Sequence, residues 1–175
     1  MKSLLLLTCF LLMGIAPLLS QADPIRRFFN QYKDYDDVTH VKLQGWLLKI
    51  ASRHADDDSA EKLLRKISHL RIMTMENGSL VTPASYNQLL REVRDESFED
   101  LLQLREGSER IDILFKEKNG EITDVLLLIS SEDEFMLLNL EGRLKFSDLN
   151  DLDIEVEGGD YFKKIPEEKA MLPKA

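Results

Sequence analysis

Cysteine is all but missing from this chain. Cys9 is the single one among 175 residues, and it lies inside an apolar run close to the amino terminus. A chain trimmed of that run has no disulfide, no thiolate ligand for a metal and no thiol nucleophile. Glycine is sparse as well: the eight present read as turn residues, and none forms a loop that would cradle a phosphate. Histidine is limited to His40, His54 and His69, spaced 14 and 15 residues apart with no i, i+4 pair. Zinc sites usually take two ligands from neighbouring positions, which lowers the entropy cost of assembly, so this spacing argues against a metal centre. No G-x-S-x-G elbow surrounds Ser85, Ser97, Ser108, Ser130 or Ser131, which removes that signature of a serine hydrolase. Positive charge is in deficit too. Lysine and arginine number 23 against 32 aspartates and glutamates, a formal net charge of −9. Repulsion from phosphates and anionic lipids makes nucleic acid and membrane surfaces poor partners. None of these features calls for a cofactor.

One long apolar run is present, and its flanks give it a meaning. Met1-Lys2-Ser3 supplies a positive start, Leu4 to Leu19 is uncharged, and Ser20-Gln21-Ala22 places small residues where signal peptidase reads. The run is shorter than the roughly 20 residues that span a bilayer, and no positive cluster follows it. Residues 1–22 therefore read as a cleavable signal peptide, cut after Ala22. The expected location is periplasmic or extracellular, with no transmembrane span in the mature chain. Thr8 precedes Cys9 where a lipobox needs a small residue, and the apolar run continues beyond it, so lipoprotein anchoring is not expected. Cleavage removes Lys2 and no acid, leaving a net charge of −10 on 153 residues, enough chain for one core. Residues 23–152 read as a single domain. Residues 153–175, with Gly158-Gly159, two prolines and many charges, read as a loose polar tail.

Within the domain, Asp23-Pro24 has the chemistry of a helix start, and Ile25, Phe28, Phe29 and Tyr32 follow on one helical face. Residues 38–43 (VTHVKL) alternate and are rich in β-branched side chains, which predicts a strand. Trp46, Leu47, Ile50 and Ala51 return to helical spacing. Asp58 and Glu61 resemble a capping box ahead of a helix carrying Leu63, Leu64, Ile67 and Leu70. Residues 71–75 predict a strand closed by Asn77-Gly78. Thr82-Pro83 opens a further helix whose face is Tyr86, Leu89, Leu90 and Val93. From Phe98 the period becomes that of strands: 99–105 (where FEDLLQL also fits one last helical turn), 110–116, 122–129 and 134–140, joined by gaps short enough to permit only antiparallel hairpins. Residues 146–152 predict a short helix. The fold class is α+β: an antiparallel-dominated sheet with a C-terminal strand meander, packed against about four helices.

Two features invite chemistry and have plainer explanations. Asp34/Asp36/Asp37 and Asp56/Asp57/Asp58 suggest calcium, yet neither run has the tight-turn glycine or a well-placed bidentate glutamate, so helix ends and solvated loops explain them. Trp46 and the pair Phe28/Phe29 could form a ligand platform. At helical spacing beside Leu47 and Ile50 they read as core.

The segments RFFNQYKDYDDVTHVKL, KISHLRIMTMEN, FEDLLQLREGSERIDILFKEKNGEITDVLLLI and FMLLNLEGRLKFSDLNDL, in that order, carry a resemblance. Over residues 25–152 the chain resembles a family of exported Bacteroidetes proteins catalogued as domain of unknown function 4252. The resemblance implies an envelope location, as a small exported or lipid-anchored protein. It also implies genes near those of extracytoplasmic-function sigma factors, which points to envelope signalling. It implies no catalytic residues. The chain departs from lipid-anchored relatives at Cys9, which lacks a lipobox.

The functional reading follows from the stretch VLLLI. A hairpin with a three-residue loop and Gly120 in the left-handed bulge position lines Ile111, Ile113 and Phe115 up with Thr123, Val125, Leu127 and Ile129. A two-residue Asn-Gly turn would instead set Phe115 opposite Asp124. The other face then carries Leu114, Ile122, Leu126 and Leu128, joined by Leu137, and is apolar as well. Two-sided burial is the usual cause of such a run. The cover is either the chain itself, through its first helix or residues 153–165, or an envelope protein or second copy in a homodimer. The leading function is a non-enzymatic protein-binding module of the cell envelope with these five residues on its binding face. A hydrolase with a dispersed polar site and a carrier of a small apolar ligand stay open as alternatives.

Overall fold

Between Glu99 and Leu144 the chain runs back and forth four times. Each of these runs carries leucine or isoleucine together with charged residues, and each becomes a strand in the computed structural model, which describes residues 23–55, 58–76 and 80–150. In chain order the elements are α1 (Pro24–Tyr32), β1 (Val38–Gln44), α2 (Gly45–Ala51) with a 3₁₀ turn (Ser52–His54), α3 (Asp58–Lys66) and β2 (Ile67–Met75). Then follow α4 (Pro83–Asp95), β3 (Glu99–Glu106), β4 (Glu109–Lys118), β5 (Glu121–Ser130), β6 (Phe135–Leu144) and α5 (Phe146–Asn150). The six strands form one antiparallel sheet in the order β1-β2-β6-β5-β4-β3. This is the expected α+β class with its C-terminal meander. The turn pair Asn77-Gly78, the acids Asp56 and Asp57, and the segments 1–22 and 151–175 lie outside the described residues.

Local chemistry sets the helix ends. The Asp23 carboxylate accepts a hydrogen bond from the Ile25 amide at 3.0 Å, with Pro24 next, and the Thr82 hydroxyl accepts from the Ser85 amide at 3.2 Å, with Pro83 next. At its other end α4 closes with a Schellman pair, Phe98 N–H to Val93 O at 3.1 Å and Ser97 N–H to Arg94 O at 3.0 Å. Ser97 takes the left-handed position, φ 70°, that glycine usually fills. One helix boundary differs from the expectation. α3 stops at Lys66, and Ile67 and Leu70 belong to β2, nine residues long. Helical and strand periods both accommodate Leu63, Leu64, Ile67 and Leu70. The backbone pairing of Leu70 with both Leu43 and Leu140 decides for the strand.

Gly142 and Gly45 also depart from the expectation that glycines mark turns. A Cβ on Gly142, within β6, would come to 2.6 Å from the Lys66 carbonyl oxygen. One on Gly45 would come to 3.0 Å from those of Ile67 and Ser68. Both are glycine because the α3–β2 junction passes so close.

The hairpin β4–β5 has neither the expected three-residue loop nor the pairing of Phe115 with Thr123 that such a loop imposes, yet the odd-numbered residues of the two strands still line up on one face. Lys118 pairs with Glu121, so the loop has two residues, Asn119 and Gly120, with φ 57° and 82°, the signs a type I′ turn needs. A bulge at Thr123 then shifts the ladder, and Phe115 faces Val125, Ile113 faces Leu127 and Ile111 faces Ile129. The bulge also turns Ile122 to the other side of the sheet. Ile122 clusters with Phe115, Val125 and Leu127, and so leaves the face assigned to it from strict alternation.

Both faces of the sheet are buried. On one, Leu114, Leu126, Leu128 and Leu137, each 0% exposed, lie in a single cluster with Phe28 and Phe29 of α1 and Leu89, Leu90 and Val93 of α4. α1 and α4 pack side by side there, bridged by Arg27 and Glu92 at 2.7 Å. On the other face, Leu48 of α2, Leu63 of α3 and Leu149 of α5 join Ile111, Ile113 and Phe115. The Phe146 ring meets Phe115 edge-on at 5.1 Å.

Candidate functional site: an exposed apolar helix face beside a basic pocket

The face expected to bind a partner is closed. Leu114, Leu126, Leu128 and Leu137 sit beneath α1 and α4, and Ile122 lies on the opposite side, so the five residues form neither an exposed surface nor one face. The cover is the chain itself: the first helix, as one alternative had it, together with α4. Two helices at this position bury the leucines completely, which leaves a partner nothing to touch.

Apolar surface is exposed elsewhere, on α2. Trp46 is 62% exposed, Leu47 39% and Ile50 45%. Positions 46, 47 and 50 are neighbours on one helical face, and Leu48 on the inner side is the buried residue of this helix. This corrects the expectation that Trp46 packs into the core. A seven-residue helix with Trp46, Leu47, Leu48, Ile50 and Ala51 has more apolar residues than a single inward stripe can hold, and that excess was the available signal. Phe28 and Phe29 do pack in the core as expected.

Trp46 is held in place. Its indole N–H donates to the Gln44 side-chain oxygen at 3.1 Å, and the ring lines one wall of a pocket of about 550 Å³. Lys49, Arg65, Lys66, His69 and Arg143 line the pocket too, beside the neutral Gln44, Ile67 and Ser68. Arg65 bonds Glu61 at 2.6 Å, Lys66 bonds Asp148 at 2.6 Å, and His69 Nδ1 lies 3.2 Å from Glu141. Lys49 and Arg143 make no ion pair among the described residues. The arrangement pairs an exposed aromatic anchor with cations able to receive carboxylates.

The other residues singled out from sequence are dispersed. His40 meets the Phe29 ring edge-on at 5.6 Å, and His54 Nδ1 lies 3.4 Å from the Ile50 carbonyl on the 3₁₀ turn. Ser85 shares a 3.0 Å hydrogen bond with Thr82 at the start of α4, and the Ser131 hydroxyl accepts from the Glu134 amide at 3.0 Å in the β5–β6 turn. Asp34 lies 3.7 Å from its neighbour Lys33. No helix among the described residues is long and apolar enough to cross a membrane.

No curated protein and no solved structure matches this chain. One family does, over residues 32–152, a span that runs from the end of α1 through α5 and includes the whole sheet, α2 and the basic pocket. The chain therefore belongs to the family described as a domain of unknown function (DUF4252).

Proposed function

We propose that this chain is an exported, non-enzymatic protein-binding module of the cell envelope, and that it binds through the outer face of α2. The observation that carries the reading is the exposure of Trp46, Leu47 and Ile50 together on a seven-residue helix. Single exposed apolar residues are ordinary on any surface. Three on one helical face, on a chain that seals two other apolar faces, are not. Tryptophan is also the side chain most often found at the energetic centre of protein interfaces. The adjoining cations define the partner: a protein segment with an apolar anchor flanked by carboxylates, attracted to Lys49 and Arg143 although the chain as a whole is acidic. Location outside the cytoplasm rests on the tripartite amino-terminal segment, and a place in envelope signalling rests on the family resemblance.

Trp46 is the only tryptophan, so its fluorescence reports directly on the site. Titration with a synthetic peptide carrying one phenylalanine between glutamates is expected to shift the emission to the blue, less so in high salt. Leu47→Asp or Ile50→Asp, which keep the reporter, are expected to weaken binding about tenfold or more. An unchanged emission, or equal affinity for a lysine-flanked peptide, would reject the reading.

A further inference from the structure

At the opposite edge of the sheet, four arginines converge between α4 and the β3–β4 hairpin. Arg91 and Arg94 lie on one stripe of α4 with Asn87, at i, i+4 and i+7. Arg105 of β3 and Arg110 of β4 come up from the sheet, and with Gln103 these side chains line a pocket of about 330 Å³. In a chain of net charge −9, such a gathering needs a cause.

The cause is not internal pairing. Arg110 is fully engaged on one side: Nε donates to Asp112 Oδ2 at 2.6 Å, Nη1 donates to Asn87 Oδ1 at 2.7 Å, and the guanidinium lies 4.4 Å from the Tyr86 ring centroid. Asp112 is itself buried, and its Oδ2 also accepts from the Tyr86 hydroxyl at 2.7 Å. Burial first, and then the bond to Asp112, push the Tyr86 phenol up, so it remains a donor at every physiological pH. Arg94 gives Nε and Nη2 to Asp100, at 3.2 and 2.8 Å. Arg91 and Arg105 have no ion pair among the described residues. Two carboxylates against four guanidiniums leave two positive charges over.

Register makes the surplus costly. Arg105 and Arg110 stand directly opposite each other in the β3–β4 ladder. Like charges directly opposite across a strand pair destabilise it. We propose that this pocket binds a dianionic oxyanion of the phosphate class, whose two charges match the surplus and whose oxygens suit the forked N–H groups of arginine. Arg110, locked by Asp112, Asn87 and Tyr86, is the fixed donor. Arg105 and Arg91 close on the ligand from the strand and the helix.

Calorimetric or NMR titration of the purified chain in a buffer free of phosphate tests this. Inorganic phosphate is expected to bind saturably at one equivalent, and chloride at matched ionic strength is not. Arg105→Gln, an exposed change that also removes the like-charge contact, is expected to weaken phosphate binding about tenfold or more while leaving thermal stability equal or higher. Lys62→Gln, an exposed change on α3 away from this pocket, is expected to change nothing. Phenyl phosphate distinguishes the source: tighter binding than inorganic phosphate assigns a phosphoryl group on a larger molecule, and weaker binding assigns the free ion. Absence of saturable binding, or equal binding by Arg105→Gln, overturns the assignment.

Discussion

Asp124 follows the bulged Thr123 and shows what a single carboxylate can cost. Burial raises its pKa above the ordinary 3.8, and the neighbouring Glu141 adds to the rise, while a 2.7 Å hydrogen bond from Thr123 opposes it. The folded state therefore holds this proton more tightly than the unfolded chain does. By linkage, stability falls as pH rises from the unfolded value through the folded one, and the full cost stays in force at neutral pH. Asp124→Asn is expected to raise the urea midpoint at pH 7, with the gain shrinking as pH falls toward 3.8. An undiminished gain at low pH would show that packing, not ionisation, is responsible. No residue-level sequence rule identifies this aspartate, because its burial follows from where the bulge puts it. Ser97 is similar: a serine with φ 70° is a glycine position that sequence alone does not mark.

At the scale of elements, most of the fold was legible. Capping pairs such as Asp23-Pro24 and Thr82-Pro83 are local chemistry, and each starts a helix where expected. Hairpin spacing likewise fixed the meander. The failures came where one element borrows its state from another: Ile67 and Leu70 could be helix or strand until β1 and β6 paired with them. The apolar pattern of β4 and β5 correctly indicated two buried faces, but not their cover. Because α1 and α4 seal the first, its leucines are structural. Leu126→Ala is expected to cost about 2–5 kcal/mol in chemical denaturation. Leu126→Asp with Leu128→Asp is expected to abolish the folded circular dichroism signal, since two carboxylates would be buried among apolar neighbours. A folded double variant would contradict this placement.

For the whole molecule, the amino-terminal segment yields a prediction independent of any site. Intact-mass analysis of the exported protein is expected to find Asp23 first and unacylated, as Ser20-Gln21-Ala22 and the early Cys9 imply. A retained or lipid-bearing amino terminus would overturn the proposed location. The sequence by itself determined the α+β class, the antiparallel meander and the scarcity of catalytic and metal-binding signatures. These depend on period, turn chemistry and composition, all of which act locally along the chain. Only the tertiary structure decided which apolar faces are closed, that Trp46 stands in solvent, and that Arg91, Arg94, Arg105 and Arg110 meet in one pocket. Exposure and convergence depend on which elements pack together, and one bulge or one helix laid across a sheet reverses what alternation suggests.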